Sequence, residues 1–134
     1  MMQIKKITVL KIAPHRHPQV VRVAATKQAF LSAINAGADV EGKVATKMLE
    51  PQIYALFHDL RCMSGLDGNR RLGKDIIAGT FYIVATDELG YLCSMTEDKM
   101  KKYAVQFWEI ETINDMELID ANIGIMFDTY RKFE

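Results

Sequence analysis

Long hydrophobic runs are missing from this sequence. No apolar stretch approaches the roughly 20 residues that a helix needs to cross a bilayer. The first residues place Lys5 and Lys6 inside an apolar alternation, unlike the uninterrupted apolar segment of a secretory signal. We therefore expect neither a membrane-spanning protein nor an exported one.

Cysteine is also scarce. The two cysteines, Cys62 and Cys93, lie far apart in the chain and form no pair of the kind that binds metal. Without a disulfide framework, and with eight methionines, the sequence is typical of a reducing compartment. We expect a soluble protein of the cytoplasm.

What is present is an ordinary globular composition. The chain has 134 residues, of which 49% are hydrophobic and 25% are charged, and this balance argues against disorder. A chain of this length commonly forms one domain. It buries roughly two-thirds of its unfolded surface, so it needs no disulfide or metal to hold a core.

Charge is divided unevenly along the chain although the net charge is zero. Residues 1–74 hold 12 Lys/Arg and 5 Asp/Glu, a net charge of +7, and residues 75–134 hold 5 and 12, a net charge of −7. The split indicates either a basic binding face with an acidic interaction tail, or two halves that face each other in the fold.

The pattern of apolar residues predicts an antiparallel sheet and two helices. Alternation of β-branched and polar residues predicts strands over residues 4–12, 19–24, 40–49, 53–57, 75–86 and 91–95. Thr26 and Thr96 are helix N-cap candidates, with Gly37 at the end of the first helix. The tail predicts a short helix over 115–121 and a strand over 123–127.

These elements predict an α+β fold: a mainly antiparallel sheet with two helices packed on one of its faces. We expect one domain over residues 1–108, followed by a C-terminal extension over 109–134 that packs on the same domain. The predicted shared core comprises Val9, Phe30, Ile34, Ile77, Phe81 and Ile83. Gly79, inside the longest apolar run, indicates a bulge or a close backbone approach.

Residues 60–73 form the longest predicted loop, and long loops in compact domains are often functional. Within it, Gly65 to Arg70 has the pattern Gly-x-x-x-Asn-Arg, and Ile77 to Phe81 reads Ile-x-Gly-Thr-Phe. Over residues 4–108 the chain resembles an uncharacterised bacterial and phage family that pairs these two motifs. The resemblance implies accessory cargo of a mobile element and implies no activity.

The loop also supplies the leading candidate site. Arg61, Asn69, Arg70, Arg71 and Lys74 place planar donors and positive charge beside glycines, an arrangement that suits an anion or an acidic partner. The alternative is structural, because an Asn side chain can cap a turn and a buried Arg can pair with carboxylates or backbone carbonyls.

Other reactive residues form weaker patterns. A His-x-His pair can donate two metal ligands, but no third ligand cluster accompanies it, and loop histidines in solvent are the simpler interpretation. No nucleophile lies in a catalytic motif. We therefore expect no enzyme activity, no metal and no cofactor. The residues concerned are His15, His17, Cys62, Ser64, Cys93 and Ser94.

The tail offers a last candidate surface. Trp108 to Glu111 alternates apolar and acidic residues, and residues 123–127 are apolar. Such a segment either binds a basic partner or packs back on the domain. The function we expect is a non-enzymatic adaptor that contacts a protein partner or a second copy of itself. The alternative is a nucleic-acid-binding protein that uses the basic N-terminal half.

Overall fold

The computed structural model describes residues 5–120, apart from the side chain of Cys62. Two α-helices and eight strands follow one another over residues 6–106. They are β1 (Lys6–Ile12), β2 (Gln19–Ala24), α1 (Lys27–Asn35), β3 (Val44–Glu50), β4 (Ile53–His58), β5 (Gly68–Leu72), β6 (Asp75–Ala78), β7 (Phe81–Thr86), β8 (Leu92–Cys93) and α2 (Glu97–Gln106). Residues 115–120 are also helical.

Six strands form one antiparallel sheet in the order β2-β1-β7-β4-β3, with β8 added beside β7. Short turns join β1 to β2 and β3 to β4, so each pair is a hairpin. The apolar strand β7 lies at the centre, between β1 and β4, as its sequence predicts. The α+β class with a mainly antiparallel sheet is therefore confirmed.

The apolar run over residues 75–86 is two strands, so the prediction of one strand there is wrong. Strand β6 pairs with β5 in a separate two-stranded sheet, and β7 belongs to the large sheet. Gly79 makes the break with a φ of 79°. A Cβ at this position would lie 2.5 Å from Leu66 Cδ1, so the close backbone approach expected of this glycine is present.

Residues 60–73 are more regular than predicted. Arg61–Met63 forms a single 3₁₀ turn, and Gly68–Leu72 forms β5. Alternation fails to reveal β5 because its register shifts between Gly68 and Arg70, which breaks the two-residue period of a strand.

Both helices begin at the predicted caps. The Thr26 hydroxyl accepts a hydrogen bond from Ala29 N at 3.1 Å, and Thr96 Oγ1 accepts one from Lys99 N at 3.4 Å. Gly37, two residues beyond the end of α1, has a φ of 80°. This left-handed conformation after a helix is the one that the sequence predicts for glycine.

The two helices pack on opposite faces of the large sheet, so the predictions of a single covered face and a single core are wrong. Alternate residues of each strand point to opposite faces, and each face buries its own cluster. The α1 face holds Ile7, Val9, Phe30, Ile34, Leu56, Tyr82 and Val84. The α2 face holds residues that include Leu10, Ile12, Phe57, Leu72, Ile77, Phe81, Ile83, Met100, Tyr103 and Phe107.

Residues 109–120 run along the small sheet. Leu118 is buried against Ile76 and Ala78, with Leu66 and Ile113 packed at the edge of the same cluster. The helix predicted over 115–121 is present through residue 120, and the strand predicted over 123–127 lies outside the described residues. Among the described helices none has the length and apolarity needed to cross a membrane.

Candidate functional site

Asn69 and Arg70 are neighbours in β5, yet both side chains are buried. In a regular strand adjacent side chains point to opposite faces. Here the bulge between Gly68 and Arg70 turns both toward the interior, and Arg71 points outward. The Arg70 side chain is among the largest fully buried ones in the described chain, with only 1% of the residue exposed.

The Asn69 amide joins two segments that are distant in sequence. Its Nδ2 donates to Ile12 O at 2.8 Å and to Gly79 O at 2.9 Å. Its Oδ1 accepts from Arg70 Nη1 at 2.7 Å. One side chain thus fixes the end of β1 and the turn between β6 and β7, and it also orients the neighbouring guanidinium.

The Arg70 guanidinium binds carbonyl oxygens in three directions. Nε donates to Phe107 O at 3.1 Å, at the end of α2, and Nη2 donates to Arg16 O at 2.7 Å, in the loop after β1. Burial lowers the pKa of Arg70 from its ordinary value, and the charge of Glu111 opposes that shift.

We name Asn69 and Arg70 the buried clamp. Together they tie the end of β1, the β1–β2 loop, the β6–β7 turn and the end of α2 to β5. Since every nitrogen of the guanidinium donates to a carbonyl oxygen inside the protein, the geometry fits the structural alternative for these two residues.

The remaining residues of the predicted anion site face other partners. Arg61 Nη2 lies 3.5 Å from Asp75 Oδ2, and its guanidinium sits over the Phe57 ring. Arg71 is exposed and bridges Glu111 and Glu117, and Lys74 is exposed in the turn after β5. The five predicted residues therefore do not present one common surface, and anion or partner contact by Arg61, Arg71 and Lys74 stays a prediction.

The other reactive residues are engaged in local contacts. His15 Nε2 lies 3.3 Å from Asp67 Oδ2, and no group of three metal-ligating side chains occurs in residues 5–120. The Ser64 hydroxyl donates to Arg61 O, and Ser94 Oγ accepts from Thr8 N. Cys93 is half-buried against the core, and the Cys62 side chain lies outside what is described.

The exposed indole of Trp108 is the most distinctive surface feature. It lies two residues beyond the end of α2 and is 52% exposed, yet its ring stacks on His17 with centroids 4.2 Å apart and planes 11° from parallel. His17 Nδ1 also donates to Trp108 O at 2.7 Å. His17 thus holds one face of the indole and also fixes the adjacent backbone, while part of the indole faces solvent.

Apolar and acidic side chains surround this indole. We name Val105, Trp108, Glu109, Ile110 and Glu111 the α2-end surface. Val105 is 77% exposed and Ile110 is 42% exposed. A polar depression of about 330 Å³ between Val105, Glu109 and Glu111 reaches the edge of the buried clamp.

Residues 115–120 extend this acidic character. Arg71 joins them to the α2-end surface through its ion pairs with Glu111 and Glu117. Met116 and Ile119 are also exposed there. The sequence pattern indicated Trp108 to Glu111 but missed Val105, an apolar residue on the polar side of α2, and it missed the support from His17.

Glu50 fixes α2, and with it the α2-end surface. Its carboxylate accepts hydrogen bonds from Lys99 Nζ at 2.6 Å, from Lys102 Nζ at 2.9 Å and from the Tyr103 hydroxyl. These bonds, with that of Lys99 strongest, lower the pKa of Glu50 to about 2. Burial and the Glu50 carboxylate raise the pKa of Tyr103 to about 12.

These features define a small antiparallel α+β domain whose loops are secured by a buried Asn-Arg pair. The chain belongs to the family described as Domain of unknown function (DUF3846), whose model matches residues 7–108. The match contains both motifs of the predicted resemblance and ends at Trp108. No curated protein and no solved structure matches the chain.

Proposed function

We propose that the protein is a non-enzymatic adaptor that binds a basic protein partner through the α2-end surface. The proposal includes the setting that the resemblance implied, accessory cargo of a mobile element that works in the bacterial cytoplasm.

The observation that carries the proposal is the supported, half-exposed indole of Trp108. Tryptophan is enriched among residues that contribute most to binding between proteins. A side chain that is already fixed loses little further freedom on binding. The stacking on His17 and the hydrogen bond to Trp108 O provide that fixation.

The negative charge of the segment around the α2-end surface indicates what kind of partner it binds. Residues 103–120 contain five acidic residues and no Lys or Arg, and Arg71 of β5 offsets part of this charge through its pairs with Glu111 and Glu117. Val105, Trp108 and Ile110 supply exposed apolar area within this acidic segment. The complementary partner is a segment with Lys/Arg around an apolar anchor, and its association should slow as salt rises because surface charges steer the encounter.

Polar side chains that could have served in catalysis are hydrogen-bonded to the backbone, and this supports a binding function over an enzymatic one. The Ser64 and Ser94 hydroxyls bind backbone groups, and the clamp nitrogens bind carbonyl oxygens. In these residues the polar groups maintain the fold.

Affinity capture from bacterial lysate with nuclease present, followed by reconstitution with the captured protein in purified form, tests the proposal. We expect Trp108→Ala to lower affinity for that protein at least about tenfold. Leu89→Ala, which truncates an even more exposed apolar residue in the β7–β8 turn, should bind like the parent.

Two results would contradict the proposal. Equal affinity of Trp108→Ala and the parent would show that the α2-end surface is not the contact. Loss of all capture on nuclease treatment, together with binding of mixed-sequence DNA or RNA by the pure protein, would favour the nucleic-acid alternative.

A further inference from the structure

The α1 face of the large sheet is only partly covered. Its path of five strands spans roughly 19 Å at about 4.8 Å per strand. A single helix is about 10 Å wide and covers two strands well. Helix α1 packs Phe30 and Ile34 on the middle of this face and touches the edge strand β3, but a depression beside Phe30 stays open.

A cavity of about 440 Å³ occupies this uncovered area. Its floor comes from neighbouring strands, since Leu56 pairs with Thr46 of β3 and Thr86 pairs with Leu92 of β8. Phe30 forms a wall from α1. The volume lies within the roughly 300–1,000 Å³ of sites that bind small molecules.

Four polar groups line this apolar cavity: the hydroxyls of Thr46, Tyr54 and Thr86, and the ammonium group of Lys27. Within residues 5–120 these four side chains make no hydrogen bond or ion pair with protein groups, and Lys27 and Thr46 are exposed to solvent. A mostly apolar cavity with a few convergent polar groups is typical of a ligand site. Lys27 is the one charged residue among the described residues of the lining, so an anionic group on the ligand matches it.

We propose that this cavity binds a small amphipathic carboxylate. The apolar body lies on Leu56, Val84 and Leu92, the carboxylate faces Lys27, and threonine hydroxyls donate to its oxygens. This site lies on the opposite sheet face from α2 and is independent of the proposed adaptor surface.

Titration of the ¹⁵N-labelled protein with octanoate and, separately, with 1-octanol tests the site. The two probes share an alkyl chain and differ in the carboxylate. We expect saturable amide shift changes centred on β4, β7 and β8, with a Kd for octanoate of about 1 mM or below. Octanoate should bind roughly fivefold tighter than 1-octanol, the ratio that a surface ion pair provides.

Three variants locate the interaction. Lys27→Gln should remove the preference for octanoate over 1-octanol, and Lys101→Gln, which removes an equal charge on α2, should keep it. Thr86→Phe should fill the cavity and weaken both probes at least about tenfold. If Thr86→Phe fails to fold, the ratio of the Kd values for octanoate and 1-octanol in Lys27→Gln is sufficient to test the site.

Shift changes that do not saturate by about 10 mM octanoate, or that centre away from these strands, would overturn the proposal. An equal preference for octanoate in Lys27→Gln and in the parent would overturn the assignment of a carboxylate.

Discussion

Arg70 is a buried cation whose hydrogen-bond partners are carbonyl oxygens. Burial of a charge is costly unless each of its donors finds an acceptor. The Arg70 donors reach Phe107 O, Arg16 O and Asn69 Oδ1, so the cost is offset by bonds that also fix two other chain segments. A guanidinium suits this task because its donors diverge in one plane.

Truncation of this side chain should therefore weaken the whole fold. We expect Arg70→Ala to lower the free energy of unfolding by about 1–3 kcal/mol, because buried acceptors lose their donors. Arg71→Ala removes an exposed side chain with two surface ion pairs and should cost less than about 1 kcal/mol. Chemical denaturation of both variants measures the difference, and equal losses would mean that the clamp does not stabilise the fold.

Glu50 should make stability sensitive to acid. Its pKa is about 2 in the folded protein, against an ordinary value of 4.5. A lowered pKa adds stability that is complete above 4.5 and is lost as pH falls toward 2. Denaturation midpoints between about pH 5 and pH 2 should therefore fall less steeply in Glu50→Gln than in the parent.

The matched control for this effect is Glu97→Gln on the same helix. Glu97 is exposed and pairs with Lys101 at 3.1 Å on the surface. Its removal should leave the acid dependence close to that of the parent. Parallel pH curves for the parent and Glu50→Gln would contradict the role of Glu50 in fixing α2.

The turn between β6 and β7 is where one apolar run becomes two strands. Gly79 and Gly90 both have positive φ, at 79° and 88°. A Cβ at Gly79 would lie 2.5 Å from Leu66 Cδ1 and 3.2 Å from Leu66 Cβ, and a Cβ at Gly90 meets nothing within 4 Å. The two glycines therefore share backbone strain and differ in crowding.

Alanine at each position separates these effects. Gly90→Ala should lower the free energy of unfolding by about 1–2 kcal/mol through the left-handed conformation alone. Gly79→Ala should cost at least about 1 kcal/mol more, because Leu66 must move. Thermal or chemical unfolding measures both, and equal losses would show that Leu66 adapts freely.

The sequence predicts most helices and strands of this fold, but it misses strand β5 and the break between β6 and β7. Capping by Thr26 and Thr96 and the alternation in β1 and β7 are local signals, and they locate the elements well. Strand β5 carries a bulge and a buried polar pair, so its residues resemble a loop. Gly79 indicated a bulge or a close backbone approach, but not that the chain passes there from the small sheet to the large one, because that change depends on the pairing of β6 with β5.

At the scale of the whole molecule, periodicity shows which residues are buried but not which face of the sheet receives them. Val9 and Phe81 are both buried, yet they lie in different clusters because the helices cover opposite faces. The residues of the predicted anion site also differ in burial, which their spacing in the sequence does not show. Adjacent motif residues suggested one anion site, but burial of Asn69 and Arg70 and exposure of Arg71 depend on the bulge.

Ion pairs in the folded chain explain part of the uneven distribution of charge between residues 1–74 and 75–134. Arg71 pairs with Glu111 and Glu117, and Arg61 Nη2 lies 3.5 Å from Asp75 Oδ2. Each of these ion pairs joins the basic half of the chain to the acidic half. The interpretation that the halves face each other therefore fits these contacts, while Glu109 and residues near it remain exposed for a partner.

Residues 109–120 lie beyond the family match but should unfold together with the matched domain. Leu118 is buried against Ile76 and Ala78, and Met116, two residues earlier, is exposed. Leu118→Ala should lower stability by about 2 kcal/mol, at the low end for a buried leucine because the described part of its cluster is small.

Met116→Ala should change stability by less than about 0.5 kcal/mol. Hydrogen exchange shows whether Leu118→Ala destabilises only residues 109–120 or the whole domain. If the extension and the domain unfold as one unit, Leu118→Ala should speed exchange of the slowest amides in β7 as well as those in β6. Faster exchange confined to residues 109–120 would mean that the extension detaches while both cores stay folded, and the acidic segment would then be a separate element that merely rests on β6.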